Sequence, residues 1–289
     1  MSSIIITGAC SGIGLAITKY FASSASSSKR TAIAMLDVNA ERGPEVAEQV
    51  QREFPYARIT FRLCDVGSWE DQADVFRGLC EEQEGPESKK GFFEGRGVDV
   101  VVANAGVSEQ GKTTLVGHGD TEGGGPVKPK VGVLEINLLG VIYSVNLAVH
   151  YMNLKPKDVK HKGLIICTAS NAGLYPLPTA PLYAASKAGV IGLVRSTAQL
   201  IESKGIRINA LAPAVLETNI APSKDLFKHM IVTPMETLIK GVDRFVHDDT
   251  LSGAVAEIHG DKVTLRPPHE FVDEDTKNNI EMFWTLGYA

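Results

Sequence analysis

The first seventeen residues constrain the chain most. Ile4-Ile5-Ile6-Thr7 is apolar and β-branched, the composition of a buried strand, and it stops at glycine. Thr7-Gly8-Ala9-Cys10-Ser11-Gly12-Ile13-Gly14 follows, after which Leu15-Ala16-Ile17 and Tyr20-Phe21 fall at helical spacing. A strand, a glycine turn and a helix in that order bring backbone N–H groups at a helix start to a point that a Cβ would block. That geometry receives a pyrophosphate. A glycine triplet alone is a weak signal, because a plain tight turn uses the same residues; its place between strand and helix gives it this meaning.

The alternation continues along the chain. Strands are expected at Thr31 to Leu36, Arg58 to Leu63, Val98 to Ala103, Leu164 to Thr168 and Arg207 to Ala212, with Ser252 to Val255 and Val263 to Leu265 holding the final one. Helices are expected around Glu41 to Arg52, after Ser68 with Asp71 as its capping partner, and over two long stretches, Val133 to Met152 and Leu182 to Glu202. This order predicts an α/β fold: a doubly wound parallel sheet of about seven strands in one domain, residues 1–289, with helices on both faces. Glu81 to Arg96 and the glycine-rich Gly111 to Lys130 read as surface additions. The second is a loop by composition or a flap over a substrate mouth.

Gross composition excludes several function classes. At 289 residues, 44% hydrophobic and 22% charged, the chain has the material for a large core. A net charge of −5 and no basic stripe argue against nucleic acid as partner. Lys155 to Lys162 is expected to be a solvated connector. No secretory signal is read at the amino terminus, and no stretch is expected to reach the ~18–20 apolar residues of a membrane span, so no membrane partner is expected and a cytoplasmic location is the default. The four cysteines (Cys10, Cys64, Cys80, Cys167) lack metal-ligand spacing, so buried free thiols and no metal site are expected.

Further polar residues gather at the carboxyl ends of the strands, where open α/β sheets bind ligands. Asp37 ends the second strand. A carboxylate there accepts hydrogen bonds from ribose hydroxyls and repels a 2′-phosphate, and no arginine immediately follows it, so NAD is favoured over NADP as cofactor. Cys64-Asp65-Val66 follows strand three and Asn104-Ala105-Gly106 follows strand four. Tyr183 and Lys187 stand four apart at the head of a helix, on one face. A free phenol titrates near ~10, and a neighbouring ammonium favours its ionised form. Ser170, just past strand five, can bind the oxygen of a reacting carbon beside that phenol. Asn137 interrupts an apolar helix, needs buried partners and can hold a water leading to Lys187.

Together these segments resemble the short-chain dehydrogenase/reductase family. The T-G-x-x-x-G-x-G turn, N-A-G, Asn137, Ser170 and Y-x-x-x-K occur in the family's order over residues 3 to 221. Asn104 to Leu216 is most similar to the NAD-dependent 15-hydroxyprostaglandin dehydrogenase type, through Ile136-Asn137-Leu138, Ala172-Gly173-Leu174 and Pro181-Leu182-Tyr183, and is also similar to fungal secondary-metabolite alcohol dehydrogenases. The resemblance implies Tyr183 as acid/base. It implies that Lys187 lowers the phenol pKa and holds the nicotinamide ribose, that Ser170 orients the substrate oxygen and that Asn137 supports a proton relay. It places Asp65 and Val66 at the adenine, Asn104 and Gly106 beside the nicotinamide ribose, and Thr218 at the carboxamide. Ala105, Pro213 and Val215 complete the cofactor contacts. One departure stands out, Pro213-Ala214 where the family usually has Pro-Gly.

The implied partner is a small-molecule alcohol or ketone, and a homodimer or homotetramer is expected through the two long helices. Pro222 to Asp249 is the expected substrate wall, with Leu226, Phe227, Met230, Ile231, Met235, Leu238 and Ile239 lining a pocket or packing a core. Two other readings stay open on these residues, an NADPH-dependent ketoreductase and a non-catalytic dinucleotide-binding module.

Overall fold

The computed structural model describes residues 2–81, 91–95, 97–109, 115, 128–156, 159–218 and 224–287. The glycine-rich stretch from Gly111 lies almost wholly outside them, as do most of the Glu81 to Arg96 addition and Pro222 of the expected substrate wall. Seven parallel strands, β1 (Ser2–Thr7), β2 (Thr31–Asp37), β3 (Ala57–Leu63), β4 (Val100–Ala103), β5 (Gly163–Thr168), β6 (Ile206–Pro213) and β7 (Val255–His259), form one sheet with an eighth, β8 (Lys262–Leu265). The spatial order is β3-β2-β1-β4-β5-β6-β7-β8. It reverses direction between β1 and β4, the place where such sheets open a ligand crevice.

The strands are apolar on both sides because both are covered. Ile5, Val101, Ile165 and Ile208 face a core shared with α3 (Trp69–Cys80), α5 (Gly140–Asn153) and α6 (Pro181–Glu202). Their neighbours Ile4, Ile6, Val102 and Ile166 face a second core, packed by α1 (Gly12–Ser23), α2 (Arg42–Glu53) and α7 (Met235–His247). The capping box holds as read: Asp71 N donates to Ser68 Oγ at 3.1 Å and the hydroxyl donates back to the Asp71 carboxylate. All four cysteines are buried and free, and burial pushes each thiol up to about 12.

Seven strands run parallel, in keeping with the expected fold, and the eighth pairs antiparallel with β7 about a two-residue turn at Gly260-Asp261, where Gly260 has φ +53; the expected segment Ser252 to Val255 meets β7 only at Val255. Four expectations need correction. The long helix from Gly132 to Asn153 is interrupted: α4 (Gly132–Leu134) passes through a π-helical turn, Glu135–Leu139, before α5. With 22 residues and a hydropathy of 1.6 it is also long and apolar enough to cross a membrane by length and composition, contrary to expectation. Here it carries buried Asn137 and Ser144 and lays one side into the core. The basic connector is not simply solvated either, since Lys155 binds the Asp99 carboxylate and the Lys162 carbonyl, and Lys162 is only 8% exposed. Finally, Leu238 is fully buried in the core with Val242 and Phe245, while Ile231 is 91% exposed, so α7 within the expected substrate wall is core packing. The last helix, α8 (Glu274–Leu286), buries no residue in the chain.

Candidate active site

Every sequence-derived position with a polar role stands at the carboxyl edge of the sheet, and the glycine turn leads into it. Gly8 and Gly12 hold φ of +62 and +48, a region L side chains rarely enter. A Cβ on Gly8 would lie 2.8 Å from Ala105 Cα, and one on Gly14 would fall inside the Gly8 carbonyl oxygen. β1, the turn and β4 thus touch backbone to backbone. Ser11 is extended and gives the first turn of α1 no side-chain cap. The N–H groups of Gly12, Ile13 and Gly14 therefore remain as an uncapped helix start, with the partial positive charge that attracts phosphate. Thr218 closes over the turn, its side chain 3.3 Å from where a Gly12 Cβ would be.

Asp37 is held rather than free. Its Oδ2 accepts from Cys10 N at 3.0 Å and its Oδ1 from Asn39 N at 3.1 Å, which fixes the carboxylate against the glycine turn. Arg30 precedes β2 and so lies at the opposite edge of the sheet. Sequence reasoning missed Arg42, whose charge reaches the neighbouring Cys10 thiol from the start of α2. The signal available was its place five residues after Asp37, on the next helix. Beyond β3, Asp65 Oδ1 accepts from Gly67 N at 2.9 Å. Val66 is buried with its carbonyl bound by Gln72 at 2.7 Å.

Asn104 is a staple. Its backbone N and that of Ala105 donate to Thr7 Oγ1, its Nδ2 donates to the Thr7 carbonyl at 3.0 Å, and its Oδ1 accepts from Thr168 Oγ1 at 3.1 Å. The side chain is spent joining β1, β4 and β5. Gly106 is closely approached: a Cβ there would stand 3.2 Å from Asn137 Oδ1 and 3.5 Å from Lys187 Nζ. Asn137, fully buried on the π-helical turn, accepts from Val107 N at 2.8 Å and donates to Val107 O at 2.9 Å and Ser186 Oγ at 3.3 Å. Its amide anchors the loop after β4 to α6.

On α6, Tyr183 and Lys187 lie one turn apart, with Nζ 5.7 Å from the phenol ring centre. Lys187 is 2% exposed and donates to the Thr168 carbonyl at 2.9 Å. Burial lowers its pKa to about 8. Burial likewise raises the Tyr183 phenol above its ordinary value, and a hydrogen bond with Ser170 works against that rise. Ser170 is buried and accepts from Ala172 N at 3.1 Å. Sequence reasoning also missed Glu109, whose Oε2 accepts from Leu182 N at 3.0 Å and Tyr183 N at 3.3 Å.

At the end of β6, Pro213 is buried and Ala214 N donates to Ile258 O at 2.9 Å. Among the described residues the only non-glycine with positive φ is Glu94, so Ala214 takes the usual glycine's place without backbone strain. The Val215 carbonyl accepts from Thr233 N at 2.7 Å, tying the loop to the approach of α7. An open depression of about 430 Å³ lies beside Thr218, lined in part by Leu216, Thr233 and Met235.

This edge can hold a dinucleotide in a glycine cradle and place a half-buried phenol with a buried hydroxyl and ammonium beside it. Comparison with known proteins agrees. The short chain dehydrogenase family model matches residues 2–228. A short-chain dehydrogenase/reductase of Penicillium rubens is 31% identical, covering 93% of this chain and 95% of its own. The 5'-hydroxyaverantin dehydrogenase of Dothistroma septosporum is 30% identical over 98% and 89%, and bovine 15-hydroxyprostaglandin dehydrogenase [NAD(+)] is 28% identical over 94% of each. A solved short-chain type dehydrogenase/reductase from Mycobacterium marinum shares the fold with a TM-score of 0.69 at 20% identity, covering 90% of this chain and 94% of that one. The chain belongs to the short-chain dehydrogenase/reductase family of oxidoreductases.

Proposed function

We propose that the chain is an NAD-dependent dehydrogenase that interconverts a secondary alcohol and its ketone, with an apolar, lipid-like or secondary-metabolite-like substrate. The observation that carries this reading is Tyr183 paired with Ser170 and one helical turn from the buried Lys187, whose ammonium lies beside Gly106. A nicotinamide held at this edge would supply the hydride chemistry, acceptor in alcohol oxidation and donor in ketone reduction. The chain's own residues handle the proton and the oxygen. Ser170 donates a hydrogen bond to the reacting oxygen, and Tyr183 takes the hydroxyl proton in oxidation and returns it in reduction. Lys187, held by Thr168 O, presents its remaining N–H bonds toward the Gly106 side, where a ribose hydroxyl would lie.

The raised phenol pKa in the cofactor-free chain adds a direction. Tyr183 rests as an acid and becomes a base only when positive charge enters beside it. Gly8, Ser11, Gly12, Ile13 and Gly14 would hold the pyrophosphate, Asp37 the adenosine ribose, Asp65 and Val66 the adenine side, and Ala105, Gly106, Pro213, Val215 and Thr218 the nicotinamide side. The names of two relatives, a hydroxyaverantin and a hydroxyprostaglandin dehydrogenase, support an alcohol on an apolar frame. NADP is the alternative that Arg42 supports, since its charge acts on the Cys10 thiol beside Asp37 and is of the sign a 2′-phosphate needs.

The test is reduced-nicotinamide absorbance with NAD or NADP and a panel of secondary alcohols, polycyclic and fatty-acid-derived ones included. Tyr183→Phe should lose about 10²–10⁴ in turnover while NAD still binds by calorimetry. Wild-type turnover in that variant would end the assignment of Tyr183, and signal with NADP alone would end the assignment of NAD.

A further inference from the structure

We infer that Glu109 positions Tyr183 by capping α6 from the loop after β4, an inference that rests on Tyr183 being the acid/base of the proposed reaction. The residue at the local cap position is Ala180, which offers no side-chain acceptor, and Pro181 follows it. Proline has no N–H, so Leu182 and Tyr183 carry the first donors that the helix cannot satisfy internally. Both donate to Oε2 of Glu109, a residue 74 positions before Tyr183. A serine or aspartate at position 180 would satisfy such donors locally.

The distant cap adds a tether. The loop from Asn104 to Glu109 is fixed to β1 by Asn104, to the π-helical turn by Val107 and to the catalytic end of α6 by Glu109. Tyr183 therefore moves as one body with the glycine cradle and Gly106. A second observation separates this role from ordinary helix stabilisation. The other oxygen of Glu109, Oε1, is buried with no hydrogen-bond partner among the described residues. An unpaired buried carboxylate oxygen is costly, and a cap chosen for stability alone avoids it. The groups facing the phenol are Ser170 after β5 and Lys187 on α6, while Glu109 meets the backbone N–H of Tyr183 at the helix start.

Three variants test the tether. Glu109→Asp withdraws the carboxylate by one methylene, Glu109→Gln keeps its reach and an acceptor oxygen, and Ser68→Ala removes an ordinary local cap on α3 as a stability control. Each is read by melting temperature, by the titration midpoint of the Tyr183 phenol in cofactor-free protein, and by kcat and KM with the best alcohol of the panel. The midpoint comes from NMR of ¹³Cζ-labelled tyrosine, with the signal assigned by its loss in Tyr183→Phe.

Glu109→Asp should lower kcat about tenfold or more at nearly unchanged KM. It should also move the phenol midpoint down toward its ordinary value, because a loosened first turn admits water to the ring. Glu109→Gln should keep both near wild type, and Ser68→Ala should lower the melting temperature alone. A Glu109→Asp protein that only melts earlier, with phenol and kcat unmoved, overturns the inference, as does a Glu109→Gln protein with the full loss. The NMR titration needs no substrate, so a fruitless alcohol panel would count against the reaction and not against the tether.

Discussion

Two structures meet at the carboxyl edge of the sheet, and they are built on opposite principles. The cradle between β1 and α1 is made by leaving atoms out. Gly8, Gly12 and Gly14 let backbone approach backbone, and among the groups at the turn itself only the edge residue Asp37 carries charge. The head of α6 is made by burying groups that prefer water. Lys187 is nearly sealed, Ser170 and Asn137 are enclosed, and Tyr183 is desolvated enough to hold its proton more tightly than a free phenol. The first arrangement should be insensitive to pH and intolerant of any added atom. The second should tolerate changes of shape better, and its contribution to stability should depend on pH. Binding here is a matter of sterics, and the chemistry is a matter of displaced protons.

The harshest way to break the cradle is Gly14→Ala. The new Cβ would collide with the Gly8 carbonyl and approach the Asn104 amide, both held by the β1–β4 contact, so no flexible atom can yield. Overpacking of this kind costs about 3 kcal/mol. The expected outcome is a lowered melting temperature that does not vary between pH 7 and 10, with dinucleotide binding lost by calorimetry. An alanine variant that binds NAD normally would mean the cradle is looser than its geometry.

The head of α6 should respond in the opposite sense. The folded chain lowers the Lys187 pKa from 10.5 to about 8. Below pH 8 both folded and unfolded chains hold the proton, and the folded one carries the full penalty of a buried ammonium. Between pH 8 and 10.5 the unfolded chain binds the proton and the folded chain does not, so stability rises with pH through that window. A shift of this size amounts to about 3 kcal/mol. Lys187→Met removes the titrating group, so its stability relative to wild type should fall by about that amount from pH 7 to pH 10.5, by denaturant titration at each pH. Turnover should be lost at both. A pH-independent difference between the two proteins would show that the amine is solvated, and the contrast between cradle and helix head would lose its electrostatic half.

The same contrast explains what could be read from the residues alone. Glycine turns, Asp37, Ser170 and the Tyr183–Lys187 pair carry local patterns, because strand, turn and helix each impose a spacing on the neighbouring few residues. Their places at one sheet edge follow from a parallel topology that the strand–helix alternation already dictates. What escaped reading depends on distant partners. Glu109 is an ordinary glutamate until α6 brings Tyr183 N to it. Lys155 and Lys162 resemble a solvated run until β4 and the Asp99 carboxylate are beside them. The π-helical turn around Asn137 has no periodicity of its own in five residues, and it forms where the amide must reach Val107 and Ser186 at once. Val263 to Leu265 is legible as strand, but its antiparallel partner β7 is met by the expected Ser252 to Val255 segment only at its first residue, so the pairing itself stays hidden. At Leu238 the same apolar residues serve a pocket or a core equally well, and only the packing of α7 against β6 and β7 decides for the core.

The smallest expected effect probes the one charged group of the cradle. Asp37 is already satisfied on both oxygens by Cys10 N and Asn39 N, so its remaining lone pairs can accept from ribose hydroxyls without any rearrangement. A 2′-phosphate there would meet that carboxylate at close range, while Arg42 lies on the near end of α2 with its charge already felt at Cys10. Asp37→Ser removes the repulsion and leaves the arginine. The NAD-to-NADP affinity ratio, by calorimetry on the otherwise unchanged chain, should fall about tenfold, equivalent to about 1.4 kcal/mol. Adding Arg42→Ala should return part of that gain by weakening NADP alone. If Asp37→Ser leaves the ratio unchanged, the carboxylate serves only to hold Cys10 and Asn39, and the cradle selects its dinucleotide by shape with no charge involved.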